Sequence, residues 1–435
     1  MLSNDMQSLL QHIKLPHFRH KWLITLLAFS IPVYQNILPI LIVLILLNWF
    51  SLENRKGGKS NLTFVCLVVF FLIHVIGLLW SVNLDFGMFD VQVKLSFLLL
   101  PFIFYFSETL VNDDFERVLS GYVIGCAVGV FLGVIQAFYA YYSDNTGFLK
   151  LYSESLTPSL HIGYFAMYMN FAIIILIYRL YFRSESLFTY QNLLRVFLIL
   201  FFSGAVFLST SRNGLIGLLL ALTLIVIYSV IRYRKWMSII SIAVIAWVIM
   251  SSLLKDYKSS ALKFHGFEEV AAAVKKGKAS QKVYKTSTSI RILVWSFSLN
   301  LIKSNPIIGV GTGDIKDELI KLYKKEGYPI LVKRQYNSHN QYLQTAAALG
   351  IPTLIVLLLM FISPLLVRWR RLHFLAVFLS IIVGVACLTE SVLEVQAGVI
   401  FYTFFASLFA QNMRSDYGTN FIDNPLIIKR KQLKE

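Results

Sequence analysis

Apolar runs of about 17–25 residues recur along almost the whole chain, and that is the length of helix needed to cross hydrocarbon. Inside a bilayer no water can satisfy an unpaired backbone group, so each run has to be an α-helix. The runs lie near 22–34, 36–50, 61–80, 91–106, 117–143, 160–182, 193–209, 213–231, 236–254, 339–367, 373–389 and 395–412. The sequence thus specifies an all-α polytopic membrane protein of about twelve transmembrane helices. Only 14% of the 435 residues are charged, against about a quarter in soluble domains. A water-soluble fold would have to close a dozen all-apolar helices into one core.

The expected organisation is an N-terminal membrane bundle at 1–254, a large and mostly helical loop at 255–338, C-terminal membrane helices at 339–412 and a basic tail at 413–435. No small-residue cleavage site follows the first apolar run, which reads as a retained span. Lys and Arg cluster in alternate short loops: Arg55, Lys56 and Lys59; Arg179 and Arg183; Arg232, Arg234 and Lys235; Arg368, Arg370 and Arg371. The positive-inside rule assigns those loops and both termini to the cytoplasm, and the large loop to the opposite face. Cys66, Cys126 and Cys387 fall within spans, so no disulfide is expected. Part of the net charge of +17 is this topological bias, and it implies no nucleic acid.

The large loop carries sixteen Lys and Arg against seven Asp and Glu, a surplus suited to anionic headgroups or phosphates. Residues 261–276 and 288–303 have amphipathic helical periodicity. In the second segment Ile290, Leu293, Val294, Phe297 and Leu301 form the apolar stripe, and Asn305-Pro306 ends the helix. Gly309, Gly311 and Gly313 read as turn chemistry, since neither a preceding strand nor a following Lys-Ser/Thr makes them a nucleotide loop. Asp314 is placed to cap a third helix.

Three residues stand where water-facing chain meets a span. Arg212 lies in S-T-S-R-N-G at 209–214, amid hydrogen-bonding groups that include Ser211 and Asn213, and guanidinium binds phosphate bidentately. Its bland reading is an interfacial anchor. Arg291 sits on the polar side of the 288–303 helix, where it is otherwise a solvated charge. His339 opens the 339–367 span, and a helix start favours the neutral imidazole that a general base requires. Asn340 and Gln344, four apart, are placed to orient that ring or bind a sugar hydroxyl. His161 opens another span on the same side. Gly214 is expected to let a ligand approach the backbone. No D-x-D, H-E-x-x-H or Cys/His cluster is present, so no metal site and no cofactor is expected. The spans carry almost no carboxylates; Glu390 and Glu394 read as an outer turn.

Taken in order, S-T-S-R-N-G at 209–214, Arg291 with Trp295 and P-I-I-G-V-G-T-G at 306–313, and H-N-Q-Y-L-Q at 339–344 with Gly350 resemble the O-antigen ligase family. The resemblance implies a glycosyltransferase in the bacterial inner membrane, with its active site facing the periplasm. The donor would be an undecaprenyl-diphosphate-linked glycan, and the acceptor a lipid A-core sugar hydroxyl or another glycan. By that analogy Arg212 and Arg291 hold the donor diphosphate and His339 activates the acceptor, in an inverting, metal-independent transfer. Glycan polymerases and protein O-oligosaccharyltransferases share the domain. A lipid-linked glycan flippase is the alternative of another class. Arg212, Arg291 and His339 are expected to converge on one outer-face cavity.

Overall fold

The computed structural model describes residues 15–52, 57, 61–110, 112–143, 157, 160–182, 189–233, 287–366 and 371–412. The expected span at 236–254, the amphipathic segment at 261–276 and the basic tail lie outside these residues. The described residues form fifteen α-helices and no strand: α1 (Leu15–Ser30), α2 (Leu38–Phe50), α3 (Leu62–Ile76), α4 (Leu84–Lys94), α5 (Ser96–Phe106), α6 (Asn112–Ser143), α7 (Ile162–Phe182), α8 (Tyr190–Leu208), α9 (Arg212–Tyr233), α10 (Ser287–Ser304), α11 (Ile315–Lys325), α12 (Pro329–Arg334), α13 (Gln341–Ile362), α14 (Arg371–Cys387) and α15 (Gln396–Asn412). Among the described residues, six stretches are long and apolar enough to cross a membrane: Leu62–Trp80, Leu84–Phe106, Asp113–Tyr139, Ile162–Phe182, Tyr190–Leu208 and Gln341–Leu365. Gln35–Phe50, Arg212–Val226 and Phe374–Cys387 are shorter apolar helices.

Among lipid-embedded helices burial of apolar surface drives little, because lipid is as apolar as leucine; close packing and hydrogen bonds between helices do the work. The centre of the bundle follows that rule. Residues 397–412 of α15 are all buried. Around them Tyr122, Phe171, Phe401 and Phe405 interlock, with Tyr122 and Phe405 edge to face at 4.8 Å. The Tyr168 hydroxyl donates to the Ala397 carbonyl at 2.8 Å, and the Tyr122 hydroxyl donates to the Tyr168 carbonyl at 2.9 Å. On α6 the small residues Gly121, Gly125 and Gly129 recur every four positions. A Cβ at Gly125 would lie 2.2 Å from the Phe29 carbonyl oxygen, so the glycines let the chain from Thr25 to Pro32 lie directly in the α6 groove. Large side chains such as Ile40, Leu47, Phe131 and Leu200 stay exposed, as hydrocarbon-facing positions require.

Cross-helix contacts sort the helix ends into two groups. Asn61, Thr63, Ser107, Ser363 and Ala410 meet at one end. Residues 213, 291, 340 and 386–390 meet at the other. The second group is the face that the charge pattern assigns to the outside.

The described part of the large loop packs over that second face. Leu293, Val294, Phe297 and Leu301 of α10 are buried, as the periodicity requires, with Ile315, Leu319 and Tyr323 of α11 and with Ala347, Ala348 and Leu349 of α13. The glycine segment at 305–313 has a larger role than a turn. Helix α13 breaks at Gly350, whose φ is 80°. Beyond it Pro352 has no N–H to give to the Ala348 carbonyl. The loop supplies what is missing: Val310 N–H donates to Ala347 O at 3.0 Å and Gly311 N–H to Ala348 O at 2.8 Å. In return Ile351 N–H donates to Pro306 O at 2.8 Å. The loop backbone is thereby stitched into a broken membrane helix, which satisfies groups that lipid could not.

Two sequence expectations need correction here. Asp314 occupies the cap position of α11 but does not cap it. Its carboxylate accepts instead from Val82 N–H at 2.8 Å and Asn83 N–H at 2.7 Å, because that turn presents two free donors at once. The run expected at 91–106 extends back to Leu84. This brings Asp90 into the apolar stretch that already held Lys94.

Gly350→Ala should be disruptive, since its Cβ would sit 1.9 Å from the Ile307 carbonyl oxygen at a left-handed φ. The expected loss is about 2 kcal/mol or more, read as a lower unfolding temperature in detergent. Gly204→Ala, with nothing within 4 Å of its Cβ, should be neutral.

Candidate active site

At the loop-covered end, three segments meet at residues 386–394, the turn between α14 and α15. From α10, Arg291 reaches down: its Nη2 pairs with Glu390 Oε1 at 2.6 Å and its Nε donates to the Thr389 carbonyl at 3.1 Å. From the start of α13, His339 Nδ1 lies 3.0 Å from Glu390 Oε2. One carboxylate therefore holds Arg291 on one oxygen and His339 on the other. From the start of α9, the Asn213 amide donates to the Ala386 carbonyl at 3.4 Å.

The ring of His339 is set by several local choices. Helix α13 begins at Gln341, and Asn340 is its cap: Asn340 Oδ1 accepts from Leu343 N–H at 3.1 Å. His339 thus precedes the helix rather than opening it, and its φ is 42°. A left-handed φ at a residue with a Cβ costs energy and persists only where neighbours enforce it. Asn337 Oδ1 accepts from His339 N–H at 3.0 Å. Gln344 Oε1 accepts from Ser338 N–H at 3.2 Å. Asn340 Nδ2 donates to the Leu388 carbonyl at 3.0 Å. Asn340 and Gln344 thus spend these polar atoms on fixing the backbone around the ring.

An ionised carboxylate only accepts hydrogen bonds, so Nδ1 of His339 carries the proton that faces Glu390, and in the neutral ring the lone pair lies on Nε2. Nε2 has no partner among the described residues, and the side chain is 26% exposed. Burial pushes the Glu390 carboxyl up. The hydrogen bond and charge of His339 and the charge of Arg291 outweigh it and hold the group below the ordinary value of 4.5. Thr389 Oγ1, Ser391 Oγ and Trp295 Nε1 are buried without a hydrogen-bond partner among the described residues.

Arg212 stands apart from this pair. It is the first residue of α9, exposed, and makes no hydrogen bond or ion pair among the described residues. Thr210 before it has a φ of 54°, and Ser211 Oγ accepts from Gly214 N–H at 3.1 Å, capping the helix. Gly214 does not face a ligand: a Cβ there would lie 2.3 Å from the Ala166 Cβ, so the glycine serves the close crossing of α9 and α7. His161, exposed just before α7, accepts from Gly163 N–H at 3.3 Å and touches none of the other candidates. Geometry therefore joins Arg291 to His339, ties Asn213 and Asn340 to one turn, and leaves Arg212 free nearby in the chain. The member that sequence reasoning passed over is Glu390. A carboxylate four residues before Glu394 in an apolar setting was the available signal.

Because Glu390 is held ionised, its contribution to stability is present above its unfolded value and is lost as pH falls through the depressed folded value. Glu390→Gln should lower the unfolding temperature near pH 7 by several degrees. The gap between variant and wild type should close as pH drops below about 4. A pH-independent gap would mean that the ion pairs contribute nothing.

Among the described residues no group of His, Cys, Asp and Glu is disposed to hold a metal ion. A comparison with curated proteins gives no match. Residues 197–358, which run from α8 to α13 and include Arg212, Arg291 and His339, match the family model described as O-antigen ligase. Over that segment, the chain is similar to the O-antigen ligase family.

Proposed function

We propose that the protein transfers a glycan from undecaprenyl diphosphate to a sugar hydroxyl of lipid A-core, at the membrane face where α9, α10 and α13 meet. The observation that carries this reading is the shared grip of Glu390 on His339 and Arg291. It leaves a histidine with a carboxylate behind Nδ1 and a free Nε2, which is the arrangement of a general base.

The acceptor hydroxyl gives its proton to Nε2 of His339 as its oxygen attacks the anomeric carbon. The bond from that carbon to the diphosphate breaks, and undecaprenyl diphosphate leaves with the electron pair. Attack from the face opposite the leaving group inverts the anomeric centre. Glu390 stabilises the imidazolium that forms. A glycosidase needs a second carboxyl acid because an alkoxide leaves poorly. A diphosphate leaves unprotonated once its charge is met, and fixed guanidinium groups can meet it without a metal.

The two arginines divide this work unequally. Arg291 has committed Nε and one N–H of Nη2 to residues 389 and 390, so it braces the carboxylate and has fewer donors left for a phosphate. Arg212 has its whole guanidinium available and is the principal diphosphate ligand. Asn213 and Ser211 shape its loop. The buried unpartnered hydroxyls of Thr389 and Ser391 are suited to sugar hydroxyls, as is the Trp295 N–H.

His339→Ala should remain inserted and lose about 10²–10⁴-fold in transfer, assayed with purified protein and a lipid-linked glycan. Near-normal turnover would remove the base role. Arg212→Lys keeps the charge but not the fork, so it should be impaired nearly as much as Arg212→Ala. Full activity in the lysine variant would reduce Arg212 to an anchor.

A further inference from the structure

Deep to Glu390 lies a second charged cluster that the reaction does not use. Lys94, the last residue of α4, is fully buried. Its ammonium donates to Asp90 Oδ1 at 2.5 Å and to Glu394 Oε2 at 3.0 Å. The other oxygen of Glu394 accepts from Gln341 Nε2 at 2.8 Å. The Gln341 amide then closes back on the same turn: its Oε1 accepts from Leu393 N–H at 2.7 Å. His74, also buried, donates from Nδ1 to the Phe70 carbonyl of its own helix.

The consequence is a two-point clamp. Residues 339–341 are consecutive. Asn340 holds the turn at Leu388, two residues before Glu390. Gln341 holds it at Leu393 and Glu394, three and four residues after. Glu390 is suspended between the two grips, facing His339. The outer grip is a neutral amide–carbonyl bond. The inner one contains a buried carboxylate, which needs a counter-charge to stay ionised and in place, and Lys94 is that counter-charge among the described residues. Among the described residues the ammonium makes no hydrogen bond or ion pair with Arg212, Arg291 or His339, so its effect on them runs through the turn.

We propose that Lys94 is a positioning residue: through Glu394 and Gln341 it fixes the turn that presents Glu390 to Nδ1 of His339. This rests on the reading of His339 as the base, and it is tested in a way that separates the two. The variants are Lys94→Met, which keeps length and removes charge, and Glu394→Gln, which keeps shape and weakens the same grip. Each should lower kcat of glycan transfer by at least tenfold while the donor KM changes by less than threefold. In a Glu390→Gln background, where the carboxylate is already gone, either substitution should cost less than a further twofold. A merely structural role would instead multiply with the Glu390 loss. If Lys94→Met does not insert, Glu394→Gln carries the same comparison.

The second measurement needs no activity. In protein labelled with ¹⁵N-histidine, the His339 signals are identified by their loss in His339→Ala. They should move in Lys94→Met or Glu394→Gln in the direction seen for Glu390→Gln. Unmoved signals, a kcat within threefold of wild type, or losses that multiply in the double variant would overturn the proposal. Wild-type protein that transfers no glycan, while the His339 signals still respond, would overturn the functional reading and leave the positioning role standing.

Discussion

Glu390 must stay charged where water reaches it poorly, and the rest of this end of the molecule is arranged around that requirement. A buried carboxylate without partners takes up a proton. Here Arg291 and His339 approach opposite oxygens, so the negative charge is both retained and directional. The same contacts explain why three separate parts of the chain converge. Arg291 arrives on a loop helix, His339 on the residue before a membrane helix, and Glu390 on the turn between two others. None of the three could keep its orientation alone: the arginine is on an amphipathic helix that needs a surface to pack on, and the histidine sits at a strained φ of 42°.

The surface for that loop helix comes from a defect in α13. The break at Gly350 leaves the carbonyls of Ala347 and Ala348 for Val310 and Gly311 to bond, and the backbone of 305–313 fills the gap. A loop stitched to a membrane helix by main-chain bonds is held more firmly than one resting on side chains. It therefore fixes the height of α10, and with it Arg291, above the bundle. The cost is intolerance at Gly309 and Gly350, where any side chain would strike backbone. Lipid enforces the arrangement, since an unbonded carbonyl at that depth has no water to turn to.

How much of this could be read from residues alone follows the physics of each part. Among the described residues apolar run lengths located most of the long helices, because hydrocarbon thickness imposes them, but the helix from Leu15 and the stretch from Leu84 begin seven residues before the runs read at 22 and 91. Periodicity in 288–303 identified the buried face of α10, where Leu293, Val294, Phe297 and Leu301 are indeed inside. His339 and Arg291 stood out as polar groups at the edges of apolar runs. Glu390 did not, because a carboxylate in a short turn looks solvated until its partners are placed 51 and 99 residues away. Gly214 was misread for the same reason: sequence shows that a side chain is missing, but not whether a ligand or a neighbouring helix takes the space. Lys94 lay inside the run expected at 91–106 and Asp90 just before it, and the pair was passed over because a charge four residues from its opposite gives the same pattern on a wet helix as on a buried one.

The central claim is that a donor diphosphate sits at Arg212 with the sugar it carries turned toward Nε2 of His339. The most direct measurement is a structure of the protein with an undecaprenyl-diphosphate-linked glycan bound. The account predicts the diphosphate within hydrogen-bonding distance of the Arg212 guanidinium, the anomeric carbon on the His339 side, and Glu390 still bonded to Nδ1. A diphosphate bound away from Arg212, or a His339 ring turned so that Nε2 meets Glu390, would contradict it.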